Sequence, residues 1–386
     1  MEDNEYILKH RDTDVAEFAI DKESMLVSGI KILDEKFSPI NYRGNEIVTA
    51  GNLNYWLSSR CVPNSREGIE RLKTVYKVKE VKEIMFLQMG LSLSDHYWID
   101  NNKTKNKWKD INLFENRYDE IFGKIIFDKK LRIVNDINAA NKKSPDGTTG
   151  GNLRKYWEYN KNNNKSYLVK SGSGERKQEP FNEYFASLLL DELKFDYTPY
   201  VVRKERKEWV SVCPCISDIN NELISASDII RKYGIRENYN DFLNLAQGKS
   251  VIGFKESLDK MIILDYMINN TDRHWNNFGI LLNGETGTWI GLAPIYDNGY
   301  SLWNNDFIRH DLPVKNRSFA DYNEDCIELV NINNYVKELP DMIVIFDKAF
   351  KNYENDDRKR DLRKGIEVKQ TEIREYIKNV NVMQSS

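Results

Sequence analysis

Two residues placed five positions apart, Asp272 and Asn277, follow directly on an apolar stretch at 254–268. That pairing suits phosphoryl transfer, in which a protein mostly positions groups and neutralises charge. A carboxylate at Asp272 can orient or deprotonate an attacking hydroxyl, and the amide oxygen of Asn277 can help hold Mg2+. Further on, Pro294-Ile295-Tyr296-Asp297-Asn298-Gly299 offers a second metal ligand, Asp297, followed by a flexible turn. Either motif alone is an ordinary hydrogen-bonded turn. Together, in this order, they point to catalysis. Arg273 and His274 lie between them; one is expected to hold the loop and the other to contact substrate, with His274 the structural one.

These residues need elements to bring them together. The segments 278–282 and 288–292 are apolar or β-branched and flank Asn283-Gly284-Glu285-Thr286-Gly287, a hairpin pattern that returns the chain to Asp297. The apolar stretch 254–268 predicts a buried helix immediately before the catalytic loop. Protein kinases use the same Asp-to-Asn spacing and a later Asp on the metal. Upstream, Ser144-Pro145-Asp146-Gly147-Thr148-Thr149-Gly150-Gly151 is a loop whose backbone amides can approach phosphates, although it is not a Walker A sequence. Tyr167-Leu168-Val169-Lys170 reads as a strand ending in a phosphate-binding lysine. Glu183, on a helix predicted over 179–193 with Pro180 in its first turn, is the expected partner of Lys170. Adenine is expected against backbone near Val212, Cys213 and Cys215, where strand and helical regions join.

Composition narrows the alternatives. The 386 residues are 40% apolar, enough for real cores, and carry a formal net charge of −3, without the basic excess of a nucleic-acid-binding domain. The four cysteines and four histidines show no metal-ligand spacing. No basic-then-apolar leader is visible at the start of the chain, and no apolar run approaches the ~20 residues of a membrane-spanning helix, so a cytoplasmic protein with no direct nucleic acid or membrane partner is expected. The region 6–128 alternates short apolar segments with polar turns and predicts a mixed α/β unit. Within it, Ser92–Asp100, which contains Asp95 and His96, reads as a buried structural motif. The region after 218 is largely helical, ending in an amphipathic helix over the last thirty residues or so.

The loop Thr271-Asp272-Arg273-His274 with Asn277-Phe278, the motif Pro294-Ile295-Tyr296-Asp297 and the upstream Asn182-Glu183-Tyr184 together resemble the HipA-like serine/threonine kinase family, in the branch that includes a Helicobacter cell-translocating kinase. The resemblance covers about residues 140–330. It implies an α+β, two-lobed protein-kinase-like fold: an N-terminal α/β region over 1–135 packed on the N-lobe, a β-rich ATP-binding lobe over 136–217, and a mostly helical catalytic lobe over 218–386. It further implies ATP with Mg2+ as cofactors, held through Gly147, Thr148, Thr149, Gly150, Lys170, Glu183, Val212, Cys213 and Cys215, with Asn277 and Asp297 on the metal. The acceptor it implies is a serine or threonine hydroxyl of a protein substrate.

In the family a serine near the phosphate loop is autophosphorylated and the enzyme thereby inactivated; Ser144 matches it, with Thr148 and Thr149 of similar chemistry beside it. A small antitoxin-like partner is a candidate on the same ground. One departure bears on the acceptor. Arg273 stands where the family's namesake has glycine, and the D-R-H-x-x-N form also occurs in phosphatidylinositol kinases. A lipid or small-molecule kinase therefore stays open on the sequence, as does a kinase-like interaction protein that binds nucleotide without transferring phosphate.

Overall fold

Alternating apolar and polar residues build the first sheet. In the computed structural model, which describes residues 5–42, 46–101, 106–127, 143–304, 306–310, 314, 318–319 and 326–385, strands β1 (Glu5–His10), β2 (Thr13–Ile20) and β3 (Val27–Ile32) form a meander. Helices α1 (Glu46–Arg60), α2 (Ile69–Tyr76) and α3 (Val81–Leu87) follow. Strand β4 (Tyr97–Asp100) then closes an antiparallel sheet in the order β3-β2-β1-β4. Leu8, Val15, Phe18, Leu53, Leu57, Leu72 and Ile84 are buried between sheet and helices. The short helices α4 (Trp108–Ile111) and α5 (Ile121–Phe127) end this part. The boundary expected at 135/136 lies outside the described residues.

The second sheet has the order β5-β6-β8-β7, all antiparallel: β5 (Lys155–Asn160), β6 (Lys165–Ser171), β7 (Val201–Glu205) and β8 (Glu208–Pro214). The polar turn at 160–165 sets the β5–β6 register, and counting back from Asn160↔Lys165 places Lys155 directly opposite Lys170. Between β6 and β7 runs α6 (Glu179–Leu193), the helix that the apolar spacing predicts. Its buried residues Phe181, Phe185 and Leu189 do not serve the sheet alone; they join the large core that also takes in α9 and α10.

That core holds the helical half: α7 (Ala226–Tyr233), α8 (Tyr239–Gly248), α9 (Phe254–Met267), α10 (Met342–Ala349) and α11 (Asp356–Ser385). Helix α9 is buried on most faces, from Leu258 through Ile262, Ile263 and Leu264, as its unbroken apolarity requires. A small sheet in the order β11-β10-β9, with β9 (Asn221–Ser225), β10 (Gly279–Asn283) and β11 (Trp289–Leu292), supports the loop that follows α9. Gly279 opens β10 opposite Ser225. A Cβ there would sit 2.3 Å from the Ile224 carbonyl oxygen, so only glycine lets β10 leave the loop so close to β9.

Candidate active site

The loop after α9 is shaped from inside by one cation. Arg273 is fully buried, and its guanidinium binds the equally buried Asp265 of α9 at 3.0 to 3.2 Å. It also donates to the carbonyls of Asn277 (2.8 Å) and Tyr296 (2.6 Å) and to Asn298 Oδ1 (2.6 Å). Burial alone would disfavour the charge, but Asp265 outweighs it and holds the Arg273 pKa above its ordinary value. One side chain thus ties the loop after α9 to the segment carrying Asp297. His274 is more than a third exposed, with Nε2 4.0 Å from an Asp272 carboxylate oxygen. The structure reverses the expected division: Arg273 holds the loop, and His274 stands at the cleft. A guanidinium offers five donors in a fixed fork, which an imidazole cannot match at so many acceptors.

Asn277 donates its amide nitrogen to the Asp272 carbonyl at 2.9 Å, which leaves its oxygen as the atom for a metal. Asp297 adopts φ +58°, a strained conformation for a non-glycine residue. Its neighbours enforce it. Asn298 N donates to Glu183 Oε2 at 2.8 Å, and Asn182 of α6 donates to the carbonyls of Gly299 (2.7 Å) and Ser301 (2.8 Å). The Asn182-Glu183 motif therefore serves two ends: Asn182 fixes the turn after Asp297, and Glu183 fixes both that turn and a lysine.

That lysine is Lys170. Its Nζ lies 3.1 Å from Glu183 Oε1 and 2.8 Å from Asp297 Oδ1, with the Tyr200 hydroxyl at 3.4 Å. Burial works against the ammonium, but Asp297 and Glu183 outweigh it and raise the Lys170 pKa well above the ordinary lysine value. Burial likewise opposes the Asp297 charge; Lys170 and then Lys155 overcome it and hold the carboxyl below the usual carboxylate range. Glu183 is pushed up, chiefly by burial. The arrangement is an ionised Asp297 and a charged Lys170 at neutral pH, with Asp297 about a third exposed to the cleft.

Asp272, Asn277, Asp297 and Lys170 all line one cleft of about 1270 Å3. Thr148, Thr149 and Gly150 reach its edge, and Cys213 and Cys215 form part of its wall. Four of the expected residues do not line it: Glu183, which touches it only through Lys170, and Gly147, Val212 and Ser144. Gly147 is buried beneath the loop, where Ile84 and Gln88 lie against it, because Pro145–Thr148 coil into a short 3-10 helix rather than an open phosphate loop. Val212 packs with Tyr156, Val169 and Val210 in the sheet's own core, since strand alternation turns it away from the face that carries Cys213. Ser144 is buried, its hydroxyl donating to Asp146 Oδ2 at 3.1 Å. Thr148 and Thr149 also spend their hydroxyls internally, on the carbonyls of Leu91 (2.6 Å) and Pro145 (2.7 Å).

Other cleft residues escaped the sequence reading. Lys155, opposite Lys170 across β5 and β6, is buried, and its pKa is pushed down to about 7 by burial first and then by the Lys170 and Arg66 charges. Register counting through the hairpin could have found it. Gly172 and Gly174, just beyond Lys170, line the cleft as well. Arg66, from the link between α1 and α2, is buried and grips the carbonyls of Thr149, Gly150 (2.8 Å) and Gly151 (2.7 Å). No local pattern announces such a long-range contact. The donor set fits hard chemistry: the oxygens of Asp297 and Asn277 could hold a hard divalent cation such as Mg2+, and the amino groups of Lys155 and Lys170 could meet anionic oxygens.

The family model described as the HipA-like C-terminal domain matches residues 139–381. No curated protein matches. Among solved structures, a chain from the Shewanella oneidensis MR-1 toxin–antitoxin complex of HipA, HipB and operator DNA is similar at 10% identity, with a TM-score of 0.55 over 97% of this chain and 99% of that one. The proinflammatory kinase CtkA of Helicobacter pylori is similar at 17% identity, with a TM-score of 0.47 over 60% of this chain and 95% of that one. The first of these likenesses is one of fold, and it extends from the first sheet to the last helix.

Proposed function

Because the chain belongs to the HipA-like C-terminal domain family, we propose that it is an ATP- and Mg2+-dependent serine/threonine protein kinase of the HipA-like type. The observation that carries this reading is Lys170 Nζ held between Glu183 and Asp297 in the same cleft as Asp272 and Asn277. Lys170 and Lys155 would bind phosphate oxygens, and Asn277 and Asp297 would hold Mg2+. When bound, the metal would neutralise charge developing on the transferred phosphoryl group. Asp272 orients the acceptor hydroxyl and takes its proton as the oxygen bonds to the γ-phosphorus and the bond from that phosphorus to ADP breaks, ADP leaving. The strand end around Cys213 and Cys215 backs the adenine.

Arg273, the residue shared with lipid-kinase loops, is buried behind the loop and so gives no ground for a lipid acceptor. Among the described residues no helix is long and apolar enough to cross a membrane. By analogy with the HipA–HipB complex, the protein partner is of the small antitoxin type, and the three units expected from the sequence act as extension, nucleotide lobe and catalytic lobe.

The test uses purified protein, labelled ATP and Mg2+, with protein and lipid acceptors side by side. Asp272→Asn is expected to lower phosphotransfer about 10²- to 10⁴-fold; full activity in that variant would remove Asp272 from its role. Mass spectrometry of wild type against Asp297→Ala is expected to find phosphate on Ser144, Thr148 or Thr149 in the wild type alone, a reaction that requires the turn at Pro145–Thr148 to open and free these hydroxyls.

A further inference from the structure

Away from the phosphate-binding end of the cleft, three buried side chains from distant parts of the chain converge where the first sheet meets the β9–β11 sheet. His10 ends β1, His96 precedes β4 and Glu222 lies in β9. One ring nitrogen of each histidine and one carboxylate oxygen all lie within 4.8 Å of one another, and all three residues are buried. His10 Nε2 is 2.9 Å from Glu222 Oε2.

Each of the three is oriented from behind. The His10 ring stacks on Phe37 with centroids 4.4 Å apart. Glu222 Oε1 accepts from the His96 backbone N at 2.7 Å, which leaves Oε2 toward His10. His96 Nε2 lies 2.8 Å from the Asp218 carbonyl oxygen. A carbonyl can only accept, so Nε2 carries the proton and Nδ1 keeps its lone pair. That Nδ1 is buried and has no hydrogen-bond partner. An orphaned buried nitrogen is costly, and a ring that gives its other N–H to a backbone carbonyl is the usual posture of a metal-binding histidine.

We propose that His10, His96 and Glu222 form a binding site for one divalent transition metal, with Zn2+ the class that two imidazoles and one carboxylate suit. Binding forms two metal–nitrogen bonds and one metal–oxygen bond and breaks the His10 Nε2–Glu222 Oε2 hydrogen bond; His10 binds through Nε2 as the neutral tautomer that keeps its one proton on Nδ1, and a water completes four-coordination. The site is chemically unlike the oxygen set of Asn277 and Asp297, and it stands whether or not the chain is a kinase. Its position gives it a mechanical role. The metal would fasten β1 to β9, and β9 carries β10, which begins two residues beyond Asn277.

The test takes full-length protein stripped with a chelator and re-dialysed into excess Mg2+, so that hard-oxygen sites are filled. Zn2+ is then titrated against a chromophoric chelator, and Co2+ is added separately to read its visible ligand-field bands. The expected result is about one Zn2+ per chain, the bands of four-coordinate Co2+, and a rise of at least about 2 °C in the unfolding midpoint with Zn2+. All three should be lost in His10→Gln and in Glu222→Gln. The second variant keeps an acceptor for the His96 N–H, so one variant remains readable if the other does not fold. Zn2+ binding that persists unchanged in both variants, or no binding in the wild type, overturns the proposal.

Discussion

Lys155 carries a consequence that Lys170 does not. Both are buried lysines on neighbouring strands, but Lys170 has two carboxylates within reach while Lys155 has mainly burial and like charge around it, so its pKa sits at about 7. A triphosphate bound beside it would favour the ammonium form, so binding must draw a proton from solvent wherever the free protein has Lys155 neutral. Below pH 7 the group is already charged and nothing changes. Above it, ATP affinity is expected to weaken by up to about tenfold per pH unit. Calorimetry at pH 8 in two buffers of different ionisation enthalpy is expected to show uptake approaching one proton per ATP in the wild type and none in Lys155→Met; equal uptake in both would refute the assignment. That Asp272, Asn277 and Asp297 come together in one cleft was legible, because their placement follows from local spacing. Lys155 was not, because its meaning depends on which residue lies opposite it in a sheet.

At the scale of elements, the loop after α9 and the segment carrying Asp297 are held as a unit by Arg273 and Asp265. Removing one member of a buried ion pair leaves the other charge uncompensated, so Arg273→Ala is expected to cost about 3–5 kcal/mol of stability in denaturant unfolding. A loss below about 1 kcal/mol would mean that the loop holds its shape without the arginine. The helices α6 and α9 and the β10–β11 hairpin follow their sequence signals almost residue for residue, since apolar period and turn chemistry are local properties. The glycine-rich loop does not. Its open phosphate-cradling form was expected from composition, yet Pro145–Thr148 coil inward because Ser144 caps the turn on Asp146 N and Gln88 and Leu91 of the N-terminal region supply partners for Ser144 N and the Thr148 hydroxyl. Those partners lie more than fifty positions away, beyond what a local pattern can encode.

The whole molecule is knit by such contacts. Arg66 reaches from the link between α1 and α2 to three carbonyls of the loop, so the N-terminal region sets the shape of the cleft's edge. Arg66→Ala is expected to raise the KM for ATP roughly tenfold, the equivalent of one hydrogen bond to a charged group, with a smaller change in kcat. Hydrogen exchange over 143–153 is expected to quicken at the same time, and unchanged exchange there would show that the loop needs no clamp. The Lys170–Asp297 pair has a consequence of another kind. Its members are 127 positions apart, and at ordinary translation speeds roughly 6 to 25 s separate their synthesis. Until Asp297 emerges from the ribosome, the finished strands β5 and β6 hold two ammonium groups against the single carboxylate of Glu183. The β5–β8 sheet is thus a structure that the chain can begin early but whose charges it cannot pair until most of the protein has been made.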